Sequence, residues 1–470
     1  MPPAVASAIF AVLIVGLFWL DRDPRAKTSM ALWIPLIWVA LACSRTAGQW
    51  LQEGSAAEQA NQLMEGSSFD RSVYAGFIAV GLIVLLHRRR QAGRFLRANW
   101  PILLFFSYCA VSLLWSDYPG VAFKRWIKAI GDLVMVLIVV TDRDPSAAVK
   151  RLLSRLAFVL IPVSMLLIKY YPDLGTTYGP WGGPTMYTGV TMNKNTLGST
   201  CLLLGLGSLW CLLGAFEDRE AKGRSRRLIA QVIILAIALW LLWTANSMTS
   251  IACFLMASVL MLVANLRAVT RRPITVHLLI AAMLTVSASI LFLGVSPEAL
   301  KAMGRNPTLT DRTEVWGWLF NLVKNPWLGT GFESFWLGTR LEKLWSIYWW
   351  HPNEAHNGYI EIYLNLGRIG LTLVAVVLAT GYHKIVAAYR RNLPLSRLAL
   401  AYFLVGITYN FTEAALFKIQ APVWIFLLFS IVGVSAISSR KLRSSLPDSR
   451  QHSEPLSSEV VSPDSSVGVI

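Results

Sequence analysis

The sequence predicts an all-α integral membrane protein, a polytopic bundle of about 12–13 transmembrane helices with one large external loop carrying short helices. Three observations predict it. Of 470 residues, 55% are hydrophobic and only 15% are charged, whereas a soluble domain carries about 25% charged residues. Runs such as Leu228–Ala245 and Ser250–Leu266 contain no charge, and a bilayer crossing needs about 17–25 apolar residues at roughly 1.5 Å each. Basic residues collect in alternate connections between such runs. Together these exclude a soluble enzyme, a secreted disulfide scaffold and an outer-membrane barrel, whose strands would alternate apolar with polar residues.

In chain order, spans are predicted near 5–20, 29–43, 73–87, 99–115, 122–141, 153–169, 197–215, 228–245, 249–266, 275–294, 358–382, 398–416 and 421–437. The first reads as an anchor: nothing basic precedes it, and Asp21-Arg22-Asp23-Pro24 stands where a signal peptidase would need small residues. The connections after the first, third, fifth, seventh, ninth and eleventh spans, with the C-terminal tail, hold 28 of the 43 Lys and Arg. The positive-inside rule makes them cytoplasmic, which places the N-terminus outside and the C-terminus inside. The net charge of +17 is thereby accounted for without nucleic acid.

The chain then divides into 1–294, ten helices with short loops; 295–357, a large external loop; 358–437, three more helices; and 438–470, a cytoplasmic tail. Eleven serines in those last 33 residues, with few apolar anchors, predict disorder for the tail. The external segments are 44–72, 170–196 and 295–357. The second is turn-rich, at Gly179-Pro180 and Gly182-Gly183-Pro184. In the third, Arg312–Lys324 has helical apolar spacing, broken by Asn325-Pro326. Asp-Arg-Asp-Pro occurs at 21–24 and at 142–145; in short turns with no soluble domain around them, these read as helix-ending turns rather than metal sites. The five cysteines fall within or at the edge of spans without a Cys-x-x-Cys spacing, against a disulfide framework or a zinc ribbon.

The absent motifs are informative. With no Gly-Lys dipeptide there is no Walker A loop, and neither H-E-x-x-H nor G-x-S-x-G occurs. Of the six histidines, only His351 and His356 fall on the external side. Histidine is the side chain best suited to take a proton at neutral pH. His356 stands at the mouth of a span bearing Glu361 and Arg368, roughly 8 and 18 Å deeper along a helix, where ionisable groups usually face a polar interior. From spacing alone, an interfacial residue capping the helix with Asn357 is the plainer reading. His351, Glu354 and His356 do not share a helical face, so no metal is proposed.

Upstream, Thr310 or Asp311 is a candidate N-cap. Arg305 and Arg312 then lie at a helix N-terminus, whose free N–H groups and dipole, with guanidinium forks, suit a phosphate or diphosphate. Lys301, Lys324, Arg340 and Lys343 share this loop, and Lys194 is a further external cation; surface charge near lipid headgroups is the plainer reading. The loop's aromatics, Trp316 among them, fit both a membrane-interface belt and a groove for sugar faces.

Three stretches resemble the O-antigen ligase/O-antigen polymerase superfamily of bacterial membrane glycosyltransferases, and most closely its exopolysaccharide-production (ExoQ-like) branch. They are Thr191-Met192-Asn193-Lys194-Asn195-Thr196-Leu197-Gly198; Thr308-Leu309-Thr310-Asp311-Arg312-Thr313-Glu314-Val315-Trp316 with Asn325-Pro326-Trp327-Leu328-Gly329-Thr330-Gly331; and Glu354-Ala355-His356-Asn357-Gly358-Tyr359, running to Gly367-Arg368-Ile369-Gly370. The resemblance implies an enzyme of the bacterial inner membrane. It takes a glycan from a polyprenyl (undecaprenyl) diphosphate carrier on the periplasmic face and passes it to a hydroxyl, with inversion and without cofactor or essential metal. The family's loop histidine matches His356 and its loop arginine Arg312, while Arg305 and Arg340 compete for a second arginine. Glu354, Glu361 or Asn357 would orient the histidine. The acceptor is a growing glycan for a polymerase or lipid A core for a ligase; membrane lipids and other polysaccharide-assembly proteins are the remaining expected partners. A non-catalytic flippase of lipid-linked oligosaccharide is the alternative from another class.

Overall fold

The computed structural model describes residues 1–23, 28–51, 67–179, 183–218, 223–292, 309–393 and 395–444, with backbone alone at 290–292, 309–313 and 436–444. Its helices of ten residues or more are α1 (Pro3–Leu20), α2 (Trp33–Ala42), α3 (Ser68–His87), α4 (Arg89–Ala98), α5 (Trp100–Val111), α6 (Pro119–Val140), α7 (Pro145–Tyr170), α8 (Lys194–Glu217), α9 (Arg224–Ala245), α10 (Met248–Asn265), α11 (Ile274–Phe292), α12 (Leu309–Asn321), α13 (Gly338–Ile347), α14 (Gly358–Arg390), α15 (Ser396–Thr408) and α16 (Pro422–Ser444). The described strands form one antiparallel pair, β1 (Thr176–Tyr178) with β2 (Thr185–Tyr187), Thr177 opposite Met186.

Each predicted span holds a helix, but fewer qualify as crossings than the 12–13 expected. By length and composition, seven described helices are long and apolar enough to span a membrane: α1, α3, α7, α8, α9, α10 and α14. An eighth is reached if α4 and Trp100–Trp115, bent by 87°, form one span. Three reasons account for the difference. Met30–Ala42 is apolar but short, and Ile274–Ser289 and Pro422–Ser435 are the parts of α11 and α16 whose side chains are described. α6 carries Lys124, Arg125, Lys128 and Asp132. The span predicted over 398–416 stops being α-helical at Thr408.

α8 is the central helix, buried without interruption from Leu197 to Ser208. It packs on α7, α9, α10, α15 and α16, and α14 packs on α5 and α16. All five cysteines are buried and free. The second Asp-Arg-Asp-Pro turn is structural: Asp144 caps α7 through the N–H groups of Ser146 and Ala147, each at 3.1 Å. In the first copy, Asp23 lies 3.3 Å from Arg227.

Two helices are interrupted where chemistry-bearing residues gather. α14 breaks at Gly367 (φ 64°, ψ −162°). α15 runs into a 3₁₀ turn, Tyr409–Phe411, and the chain stays non-helical until α16, with Glu413 to Phe417 buried. Phe417 and Gln420 take positive φ there. Side chains satisfy the freed backbone: Ala415 N–H donates to Asn410 Oδ1 at 2.9 Å, and Gln420 N–H to Asp132 Oδ2 at 3.3 Å. Non-helical backbone survives inside a bundle only when so satisfied.

Candidate functional site

The described part of the large loop forms a small second core against the first turns of α14. Val315, Leu319, Phe335, Leu344 and Ala355 pack with Leu364, and the Trp316 indole donates to Ala355 O at 2.9 Å. The helix predicted over 312–324 is α12, shifted toward the N-terminus. It already begins at Leu309, so Thr310 and Asp311 belong to its first turn rather than capping it. Beyond α12, Asn325 Oδ1 accepts from Trp327 N and Leu328 N at 3.0 and 3.2 Å.

That turn inserts into the break of α14. Thr330 N–H and Gly331 N–H donate to Leu364 O and Asn365 O at 3.1 and 2.8 Å, and Arg368 N–H donates back to Pro326 O at 2.9 Å. Asn365 Oδ1 accepts from Ser334 N and Phe335 N at 2.9 and 3.1 Å. A Cβ at Gly367 would lie 2.3 Å from the Trp327 carbonyl; with its left-handed φ, the position requires glycine. Two of the sequence stretches, 325–331 and 367–370, are thus halves of one joint.

His356 sits on the turn leading into α14. Asn357 caps that helix, its Oδ1 accepting from Tyr359 N and Ile360 N at 3.0 Å each, while its amide donates to Phe411 O at 3.0 Å. The Glu361 carboxylate accepts from Ala355 N at 2.6 Å and from the Trp336 indole at 2.9 and 3.0 Å. The ring itself faces two other acids: His356 Nδ1 is 3.0 Å from Glu354 Oε1 and 3.6 Å from Glu413 Oε2. Lys418 Nζ contacts Glu354 Oε2 at 2.5 Å. Asn195, in the first turn of α8, donates to Glu413 Oε1 at 3.1 Å. Burial pushes the Glu354 carboxyl up, but the His356 hydrogen bond and the Lys418 ammonium outweigh it and hold it at about 2. Burial acts to lower Lys418, yet Glu354 raises it above its ordinary value.

The expected site residues divide clearly. His356, Glu354 and Asn357 meet here, but capping falls to Asn357, and of the three residues expected to orient the ring only Glu354 reaches it. Trp316 anchors the backbone carbonyl next to His356. Lys194 is half-buried at the first position of α8, beside Asn195. Arg340 is committed to local structure, paired with Asp117 and donating to Phe335 O and Ser334 O at 3.2 and 3.0 Å. Arg312 lies in the first turn of α12, where backbone alone is described, and Arg305 lies outside the described residues. His351 is apart from the cluster, stacked on Trp345 at 4.9 Å. Arg368 was expected to face a polar interior; it is exposed, its guanidinium 5.1 Å from the Trp327 ring centroid, because the break at Gly367 turns the helix there.

Glu413 and Lys418 were not singled out from the sequence. An ionisable residue inside a predicted span is itself a functional signal, and Asn410-Phe411-Thr412-Glu413 carried it. Glu354, His356 and Glu413 also offer ligand atoms all within 4.8 Å of one another. An imidazole with two carboxylates suits a divalent cation, but Lys418 already occupies an oxygen of Glu354.

Fold and site together define a multi-pass membrane protein with a polar centre assembled from interrupted helices. Residues 190–375, which carry all three stretches, match the family described as O-Antigen ligase. The exopolysaccharide production protein ExoQ of Rhizobium meliloti (strain 1021) is 26% identical over 311 residues, 64% of this chain and 68% of that protein. A chain of Rickettsia bellii (strain RML369-C), provisionally named polysaccharide ligase, is 22% identical over 370 residues, 76% of this chain and 85% of its own. Its counterpart in Rickettsia felis (strain ATCC VR-1525 / URRWXCal2) is 23% identical over 348 residues, 70% and 79% of the two chains.

Proposed function

We propose that this protein is a membrane glycosyltransferase of polysaccharide assembly that takes a glycan from a polyprenyl diphosphate and joins it to a sugar hydroxyl on the periplasmic face of the inner membrane, polymerising exopolysaccharide or O-antigen repeat units. The observation that carries the reading is the His356 ring with Nδ1 against Glu354, itself held by Lys418. A carboxylate facing Nδ1 favours the tautomer with its proton there and the lone pair of a general base on Nε2. The acceptor hydroxyl proton passes to Nε2 as the acceptor oxygen bonds to the anomeric carbon. The anomeric C–O bond breaks on the opposite side, and the diphosphate departs with its electron pair, so configuration inverts. A diphosphate is already a good leaving group, so charge stabilisation and one proton transfer suffice.

Arg312, with Arg305 and Lys194, is proposed to bind the diphosphate, and Arg340 to hold the loop. Arg312→Lys should then lose most activity although charge is kept, because an ammonium lacks the bidentate fork; near-normal transfer by that variant with a lipid-diphosphate donor would leave Arg312 a surface charge. No metal takes part in this scheme, so a chelator should leave transfer unchanged.

A ligase using lipid A core as acceptor is the second reading, favoured by the family description and the Rickettsia relatives' names. The polysaccharide of a deletion strain separates the two. Short repeats left on the carrier support polymerisation, and long carrier-linked chains that never reach lipid A core support ligation.

A further inference from the structure

We propose that Glu413 is a positioning residue whose negative charge offsets the imidazolium that forms at His356 during transfer, and that Asn195 of α8 fixes Glu413 for this task. The proposal rests on the reading of His356 as base and adds a requirement which that reading lacks.

Among the described residues, the charges at the ring include Glu354, Glu413 and, through Glu354, Lys418. Glu361 is one turn along α14 with its carboxylate turned to Ala355 and Trp336. These two carboxylates and one ammonium carry one net negative charge beside a neutral imidazole, and Glu361 and Glu333 add further negative potential at Lys418. When the ring takes the acceptor proton, the group becomes neutral. The site is therefore complementary to the charge state reached during the reaction rather than the resting one, which is the condition for an electrostatic contribution to rate.

The two acids are not equivalent. Glu354 is the nearer, and Lys418 neutralises it. Glu413 is 3.6 Å away, long for a hydrogen bond, and its described side-chain partner besides the ring is the neutral amide of Asn195. It supplies the uncompensated charge. Its side chain is only 11% exposed, so solvent screens that charge little. Glu413 N–H donates to Tyr409 O at 3.1 Å, the i to i−4 bond of an α-helix, so Glu413 stands where the chain leaves the α15 region. The resemblance stretch around Asn195 thereby acquires a link to the base, from a helix remote in sequence from His356.

The test is transfer kinetics of Glu413→Gln in reconstituted membranes with a lipid-diphosphate donor and matched protein levels. Glutamine keeps the size and still accepts from Asn195, so a merely structural Glu413 would tolerate it. The proposal expects kcat to fall by about 10–100-fold, the range for removing a group that supports a reacting residue, with donor KM unchanged and Glu413→Asp recovering part of the loss. A kcat within about twofold of wild type, or a loss confined to KM, overturns it. A second route uses Lys418→Met, which leaves two uncompensated anions at the ring; adding Glu413→Gln restores a single net negative charge. The double variant should be more active than Lys418→Met alone, and simple addition of the two losses contradicts the charge account. If His356→Ala itself remains active, the underlying reading has failed instead.

Discussion

α8 and the α14–α15 pair solve the same problem in opposite ways. α8 runs unbroken from Lys194 to Glu217, buries Leu197 through Ser208 and carries no charged residue between its ends. Its backbone satisfies itself, so it offers neighbours only side chains and serves as the post around which α7, α9 and α10 pack. α14 is broken at Gly367, and α15 ends at Thr408. The freed N–H and C=O groups must find partners elsewhere, and they do so in the 325–331 turn and in Asn410 and Asp132. The interruptions thus fix loop and helix to each other and bring Glu354, His356, Glu413 and Lys418 together. A continuous helix builds the scaffold; an interrupted one builds the site.

The largest effect on this contrast is expected at Gly367. Alanine there must adopt a left-handed φ and would press its Cβ against the Trp327 carbonyl. Such strain alone costs about 1–3 kcal/mol. Gly367→Ala should therefore lower the thermal midpoint in detergent and abolish transfer together, since the 325–331 turn can no longer dock. A stable, active variant would show that the break is incidental.

Asn357→Ala should cost less. It removes the N-cap of α14 and the tie to Phe411 O, and loss of a cap is worth about 1 kcal/mol. Hydrogen exchange should quicken in the first turn of α14 while the rest of the bundle keeps its protection. Unchanged exchange at Tyr359 and Ile360 would remove the cap assignment.

The smallest effect is expected in the scaffold. A Cβ at Gly214, in the last turns of α8, would meet nothing within 4 Å. Gly214→Ala should leave activity alone and stabilise slightly, by up to about 1 kcal/mol of helix propensity. If it proved as damaging as Gly367→Ala, the difference drawn between the two regions would disappear.

Much of this was legible in the sequence. The apolar runs gave a helix in every predicted span, the spacing of Val315, Trp316 and Leu319 gave α12 to within a few residues, and Asn357-Gly358 marked the start of α14. Of the three residues named for orienting His356, Glu354 lies against its ring. What was lost follows from one blind spot. Hydropathy reports composition, whereas a break is a matter of backbone geometry, so the run over 398–416 looked continuous and Glu413 was counted as an occupant of a span. For the same reason Arg368 was placed in a polar interior, when the turn at Gly367 carries it to the surface. Fewer described helices are long and apolar enough to span than the 12–13 predicted, in part because α6 carries four charged residues and 398–416 is not one α-helix. The contact between Asn195 and Glu413 joins residues 218 positions apart, and no local spacing rule encodes it.

The account stands or falls on His356. Transfer from a polyprenyl diphosphate donor should be measured in reconstituted membranes for wild type, His356→Ala and His351→Ala at equal protein levels. A positioned general base contributes roughly 10²–10⁴-fold, so His356→Ala should lose about that factor while donor binding persists. His351→Ala, whose ring stacks on Trp345 outside the cluster, should be much milder. Near-wild-type transfer by His356→Ala, or equal losses in the two variants, would contradict the central claim and return His356 to a structural place at the start of α14.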